Sequence, residues 1–441
     1  MSKPILAIVG RPNVGKSTFF NRIIGERKAI VEDVPGVTRD RIYADAEWLG
    51  KEFGIIDTGG IEVKTDDTIL SQMRDQAVMA MDMADFILFM VDGKEGMTTA
   101  DREVATLLRR TGKEVILVVN KVDKPSNEFD AIVDFYELGF GEPIAISSAN
   151  MLNIGDLLDR IVAGFPEEAF GRDDDRINLA IIGKPNVGKS SLVNALTKQN
   201  RVIVSPIAGT TRDTIDTPFD FEDRNYTLID TAGLRKKSKV HDNIEKYSVV
   251  RAIAAIERCD VCILMIDAVE GLTEQDKKIA GYAHEAGKGL MILVNKWDLI
   301  EKETNTMRDY EKKIKAELLF ASYAPVLFIS VLNKQRLYDA ISMSSRIYDA
   351  RNVRITTGKL NSIIEDAVMM RQPPSDKGKR LKIYYATQVG TEPPLFSFSI
   401  NDKELMHFSY ARYLENKIRE AYDFSGTSIK FIWNERRGER K

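Results

Sequence analysis

The sequence predicts an α/β chain. Two tandem copies of a mostly parallel sheet with flanking helices, each built on a phosphate-binding loop, precede a small C-terminal α+β module. Three observations carry this. The loop Gly10-Arg-Pro-Asn-Val-Gly15-Lys16-Ser17 recurs as Gly183-Lys-Pro-Asn-Val-Gly188-Lys189-Ser190, 173 residues later. Short apolar runs alternate with helically spaced segments after each loop. The last stretch, from about Arg351, has a different element order and no such loop.

In the first copy, Ile5–Val9 is an apolar run ending at the glycine loop, which reads as a strand buried on both faces. Residues from Ser17 to Ile24 have helical spacing. Strands are expected at Phe53–Ile56, Phe86–Val91 and Val115–Val119, and helices at Thr99–Arg110 and Ile154–Ala163. The second copy predicts strands at Leu179–Ile182, Tyr226–Ile229, Val261–Ile266 and Leu290–Val294. Between the copies, Pro166 to Arg176 is acidic and has little to bury, as a linker would be. In the terminal segment Gly358–Met370 and Glu404–Tyr422 read as helices, and Leu381–Gln388, Phe396–Ile400 and Thr427–Trp433 as strands. The expected segments are 1–165, the linker 166–176, 177–350 and 351–441.

Composition excludes several classes. No apolar run follows a basic N-terminal stretch, and no segment approaches a membrane-spanning length, so a cytoplasmic chain with no membrane partner is expected. Two cysteines cannot build a disulfide framework. The net charge of -3 is unevenly placed. Residues 351–441 hold 17 Lys and Arg against 11 Asp and Glu, whereas the remainder is acidic. A basic module on an acidic body suits an anionic partner, and a solvated charged surface explains it equally well.

Both loops match G-x-x-x-x-G-K-S/T, whose backbone N–H groups converge on phosphate at a helix N-terminus. The backbone of Gly10, Asn13, Val14, Gly15 and Thr18, and of Gly183, Asn186, Val187, Gly188 and Ser191, should line the two cradles. Lys16 and Lys189 should reach the β- and γ-phosphates, and the Ser17 and Ser190 hydroxyls should ligate Mg²⁺. Asp57-Thr-Gly-Gly60 recurs as Asp230-Thr-Ala-Gly233, placing a carboxylate for the Mg²⁺ shell and a glycine N–H near the γ-phosphate. Asn120-Lys121-Val-Asp123 and Asn295-Lys296-Trp-Asp298 choose the base. A carboxylate can accept both the N1–H and the amine of guanine, and adenine offers no such donor pair. GTP and GDP are therefore the expected ligands. Ser147-Ser148-Ala149 and Ser330-Val331-Leu332 end the next strands, where a backbone N–H could meet guanine O6. Thr38 and Thr211, in the segments before the Asp-x-x-Gly strands, are candidate Mg²⁺ ligands from mobile loops, although Thr210 competes in the second copy.

Ras-type GTPases place a water-orienting Gln after the Asp-x-x-Gly motif. Here Ile61 and Leu234 stand there, so hydrolysis needs another device and should be slow unaided. Cys259-Asp-Val-Cys262 has metal-like spacing but runs into an apolar strand and reads as core. His241, His284 and His407 form no ligand pattern. Lys382-Ile-Tyr384-Tyr385 could stack bases or simply pack.

On these motifs, and on Leu381-Lys-Ile-Tyr-Tyr-Ala-Thr-Gln388, Pro393-Pro394 and Ser409-Tyr-Ala-Arg-Tyr-Leu-Glu-Asn416, the chain resembles the bacterial tandem GTPase family called Der or EngA over nearly its whole length. The resemblance implies two Ras-like P-loop GTPase domains and a KH-like domain packed between them. It implies GTP hydrolysis coupled to assembly of the large ribosomal subunit, with that subunit and its rRNA as partners. It also implies a K⁺ ion held partly by the Asn13 and Asn186 side chains, standing in for an arginine finger. No DNA partner is expected, and a monomer is. A GTP-gated rRNA-binding scaffold with little dependence on hydrolysis is the alternative. A tRNA-modification GTPase fits less well, because the terminal cysteine and methyl-carrier domain of that family are missing.

Overall fold

The computed structural model describes residues 4–24, 43–60, 77–78, 80–81, 84–124, 128–165, 176–197, 216–229, 244–376 and 379–435. They form two compact units, Met1–Asp174 with Asp242–Ala254, and Asp175–His241 with Ala255–Lys441.

The first unit contains β1 (Ile5–Val9), α1 (Lys16–Ile24), β2 (Tyr43–Trp48), β3 (Lys51–Asp57), β4 (Phe86–Asp92), α2 (Thr99–Leu108), β5 (Glu114–Asn120), α3 (Glu128–Ile132), β6 (Ile144–Ala145) and α4 (Ile154–Gly164). Its sheet runs β2-β3-β1-β4-β5-β6, parallel except for the β2/β3 hairpin. Strand geometry sends successive side chains to opposite faces. Leu6 and Ile8 accordingly join Phe19, Phe20, Leu157 and Ile161 under α1 and α4, while Ala7 and Val9 join Val104, Leu108 and Phe135 on the other face. With both faces covered, all seven residues of β4 are buried, which is why it reads as an unbroken apolar run.

The edge hairpin was not legible. Leu49 and Gly50, both at positive φ, link Trp48 to Lys51 in a two-residue turn. β2 itself reads Tyr-Ala-Asp-Ala-Glu-Trp and is mostly half-buried or exposed, so hydropathy does not announce it.

The second unit repeats the plan with β7 (Ile177–Ile182), α5 (Lys189–Thr197), β8 (Thr217–Phe221), β9 (Arg224–Ile229), the last turn of α6 (Ile244–Arg258), whose residues up to Ala254 count with the first unit, β10 (Val261–Asp267), α7 (Glu274–Glu285), β11 (Gly289–Asn295), α8 (Thr306–Glu317), β12 (Val326–Phe328) and α9 (Leu337–Asn352). Its sheet order, β8-β9-β7-β10-β11-β12, is the same as the first. Cys259 and Cys262 are free and buried in this core. The unit continues into α10 (Thr357–Met370), the two-residue strands β13 (Ser375–Asp376) and β14 (Lys379–Arg380), β15 (Ile383–Gly390), β16 (Leu395–Ile400), α11 (Phe408–Ala421) and β17 (Lys430–Glu435). β15 and β17 flank β16, antiparallel and parallel to it respectively. Leu360, Ile364, Leu414 and Ile418 of the two helices close over Phe396, Phe398 and Ile400.

The helix expected from Glu404 begins only at Phe408. The Glu404 N–H donates to Asp402 Oδ1 (3.0 Å) and the Met406 N–H to the Lys403 carbonyl (3.0 Å). These bonds make a turn, and the His407 side chain then caps the helix by accepting from the Ser409 N–H.

The terminal module is joined to the second copy. The Gly426 N–H donates to the Tyr323 carbonyl (2.9 Å), and the Gly426 carbonyl accepts from the Leu290 N–H (2.7 Å). Gly426 has φ +74°, and a Cβ there would collide with Ile347, so only glycine fits. Arg351 is buried and donates to the Asp260 and Gly287 carbonyls. Lys430 Nζ reaches the Glu285 carbonyl (2.9 Å), and the Arg419 guanidinium lies 4.9 Å from the Tyr323 ring centroid. Among the described residues no helix is long and apolar enough to cross a membrane.

Candidate functional site: two phosphate loops and their base-reading loops

Each phosphate loop joins the end of a central strand to a helix N-terminus, and its shape is set by glycines and one asparagine. Asn13 and Asn186 both have φ +67°. Gly15 and Gly188, at φ +99° and +106°, lie so close to Asn120 and Asn295 that a Cβ on either would strike the asparagine Nδ2. Gly10 and Gly183 pass the Met90 and Met265 carbonyls just as closely. Asn13, Thr18, Asn186 and Ser191 are exposed.

Lys16 Nζ donates to the Gly10 and Arg11 carbonyls (2.7 and 2.6 Å), and Lys189 Nζ to those of Gly183 and Lys184 (2.7 and 2.5 Å). Burial pushes both ammonium groups down to about 8, with Asp57 opposing the shift at Lys16 and Asp276 at Lys189. Each lysine is thus held within its loop, where the negative charge of an incoming phosphate would raise its pKa again. In the first copy the Ser17 hydroxyl donates to Asp57 Oδ2 (2.6 Å). The Gly59 N–H donates to Asp57 Oδ1 (2.8 Å), and Gly60 closes the short turn Thr58–Gly60. Two hard oxygen donors side by side fit Mg²⁺. Ser190 is the second residue of α5, as Ser17 is of α1. Asp230, Gly233, Thr38 and Thr211 lie outside the described residues, as do Ile61 and Leu234.

The base-reading loops are tied directly to the phosphate loops. Asn120 Nδ2 donates to the Val14 carbonyl (2.7 Å), and Asn295 Nδ2 to that of Val187 (2.8 Å). One N–H of each following loop returns to the same asparagine. Ser148 N–H reaches Asn120 Oδ1 at 2.9 Å, and Val331 N–H reaches Asn295 Oδ1 at 3.1 Å. A buried amide needs its acceptor filled, and these N–H groups fill it. Ser147 Oγ donates to Asp123 Oδ1 (2.8 Å), which also accepts from Asn150 Nδ2 (3.2 Å), while Lys94 Nζ lies 2.5 Å from Oδ2. The Lys94 and Ser147 bonds hold the Asp123 carboxyl below the usual carboxylate range. Asp298 lies in the turn Trp297–Leu299, and Ser330 Oγ accepts from the Asn333 N–H (3.1 Å).

Sequence reasoning missed the residues that brace these loops. Asp92 and Asp267, each buried at the end of its strand, form ion pairs with Lys121 and Lys296, both at 2.5 Å. Thr98 with Asp101, and Thr273 with Asp276, form capping boxes at the starts of α2 and α7. The signal was present: each pair recurs 175 residues on, the offset of the Asn-Lys-x-Asp motifs.

A phosphate cradle tethered through one asparagine to a guanine-selecting carboxylate loop is the arrangement of a P-loop GTPase, and this chain holds it twice. The family model described as 50S ribosome-binding GTPase matches residues 5–121 and again 178–296. That described as the KH-domain-like C-terminal domain of EngA bacterial GTPase enzymes matches 354–434. The chain is 61% identical to GTPase Der of Alkaliphilus metalliredigens over 439 residues, which is 99% of this chain and 100% of that one. Identity is 58% to GTPase Der of Alkaliphilus oremlandii and 57% to that of Clostridium botulinum, each over 99% of this chain and 100% of the relative. The chain therefore belongs to the Der (EngA) family of GTPases: it is a GTP-binding protein that hydrolyses GTP. Among solved structures, Era in complex with MgGDPNP and a segment of 16S ribosomal RNA aligns with a TM-score of 0.30 and 21% identity, over 58% of this chain and 92% of that one.

Proposed function

We propose that the protein acts in the cytoplasm in assembly of the large ribosomal subunit, and that the nucleotide states of its two GTPase domains together control its binding to rRNA. Membership of the Der family and the match to 50S ribosome-binding GTPases support this reading. One structural observation carries the coupling. β11 ends at Asn295 of the second base-reading loop, and near its start the Leu290 N–H is bonded to Gly426 of the terminal module. A nucleotide at the second site and an rRNA on the basic module would therefore act on the two ends of one strand. A ligand shifts such an equilibrium only by its differential affinity for the two states.

In this reading Ser17, Asp57 and Thr38 hold Mg²⁺ in the first domain, and Ser190, Asp230 and Thr211 hold it in the second. The metal would neutralise charge on the β- and γ-phosphates. Lys16 and Lys189 clamp the same phosphates. Asn13 and Asn186, exposed at the loop tips with hard amide oxygens, serve K⁺ in place of the absent glutamine, so hydrolysis is slow unaided and potassium-stimulated. Replacing sodium with potassium should raise kcat, and Asn13→Ala or Asn186→Ala should abolish that response in its own domain. Equal rates in both salts would sink the potassium reading. Co-sedimentation with large ribosomal subunits tests the partner. Binding should be stronger with a non-hydrolysable GTP analogue than with GDP, and should fall steeply with salt. Equal binding in both nucleotide states would rule out the switch.

A further inference from the structure

The two phosphate loops differ at one residue, and the difference leaves a mark in the second domain. In the first, Arg11 follows Gly10. Its guanidinium spans three acceptors: Asp101 Oδ1 (Nε, 3.2 Å), Glu95 Oε2 (Nη1, 2.7 Å) and the Gly96 carbonyl (Nη2, 3.4 Å). Asp101 is fully buried, and its other oxygen serves the capping box, accepting from the Thr98 N–H and hydroxyl. The loop is thereby pinned to the start of α2. In the second domain Asp276 repeats the box, accepting from the Thr273 N–H (3.1 Å) and hydroxyl (2.7 Å) through Oδ2. Lys184 replaces the arginine. Its ammonium lies 3.9 Å from the exposed Glu270, and the buried Asp276 Oδ1 has no hydrogen-bond partner.

We propose that position 11/184 is a positioning residue that sets nucleotide retention. Arg11 clamps the first phosphate loop against Asp101, whereas Lys184 leaves the Asp276 Oδ1 atom without a partner, so the second domain holds GDP less rigidly and releases it faster. This rests on the reading that both loops bind nucleotide. A planar fork can satisfy several acceptors at once, and an ammonium acts as a point charge on a flexible stem. A clamped loop presents its N–H groups already converged, and an unclamped one must be ordered when it binds. Burial raises the Asp276 carboxyl above the usual range, with the Thr273 bonds and the Lys184 and Lys189 charges opposing.

The test is release of fluorescent GDP from the full chain, with one site silenced by Asp123→Asn or Asp298→Asn so that the other is read alone. Release from the second site should be faster than from the first. Lys184→Arg should slow second-site release by at least about fivefold, and Arg11→Lys should speed first-site release comparably. Adding Asp276→Ala to Lys184→Arg should restore fast release, because the new arginine would lose its acceptor; general damage would not produce a slowing that a second substitution reverses. Lys184→Arg leaving second-site release unchanged would overturn the inference. Failure of both sites to bind fluorescent GDP would instead overturn the nucleotide reading beneath it.

Discussion

Asn120 and Asn295 do more than their motif suggests. Each spends its Nδ2 on the phosphate loop and its Oδ1 on the following Ser148 or Val331 N–H, so one side chain holds three segments together. Asn120→Ala would leave the Val14 carbonyl and the Ser148 N–H without this partner. We expect nucleotide affinity at the first site to fall by more than about tenfold, the second site being unchanged, as read by titration calorimetry. Gly15→Ala should be as damaging, because its Cβ would strike the same Nδ2 in a backbone conformation an L-residue rarely adopts. Unchanged GTP affinity in either variant would refute the tether. The Walker, Asp-x-x-Gly and Asn-Lys-x-Asp residues were legible because their chemistry demands particular residue types at fixed spacing. Arg11 and Asp101 were not, because they are ninety residues apart and nothing local to either marks the other.

Among the elements, the central strands announced themselves and the edges did not. β4 and β10 are buried along their whole length and read as plain apolar runs. Among the described residues β2 and β8 pair on one side only, and they needed the turns at Leu49-Gly50 and Glu222-Asp223 to be recognised. Helix starts were less legible still: Glu404 falls within an expected helix, yet its N–H is committed to an Asp402 turn. The caps give a direct test. Thr98→Ala removes the acceptor for the Asp101 N–H and a donor to the buried Asp101 carboxylate. It should cost about 1 kcal/mol in equilibrium denaturation of the first unit. No measurable loss would mean that the box is ornamental to α2.

On the scale of the molecule, the terminal module and the second GTPase domain share a buried contact that titrates. His284 Nδ1 lies 2.8 Å from the Tyr323 hydroxyl, under Arg419 and Lys430. Burial, with those two cations, pushes the imidazole down to about 4, whereas the unfolded chain protonates near 6.5. The stability this group contributes is therefore complete above about pH 6.5 and is lost as pH falls towards 4. At pH 5 the second unit should be about 2 kcal/mol less stable than at pH 7 on account of His284. The difference between wild type and His284→Asn in urea unfolding at the two pH values reads that contribution. An identical pH dependence in both proteins would contradict it.

The central claim is that one chain holds two separate guanine-selecting sites. The stoichiometry of fluorescent GTP binding tests it most directly, measured on the full chain against GTP, ATP and XTP. Two GTP and no ATP should bind. Asp123→Asn and Asp298→Asn should each remove one GTP and admit one XTP, because the amide turns an acceptor into a donor. A stoichiometry of one, or GTP binding unaffected by either substitution, would contradict the account.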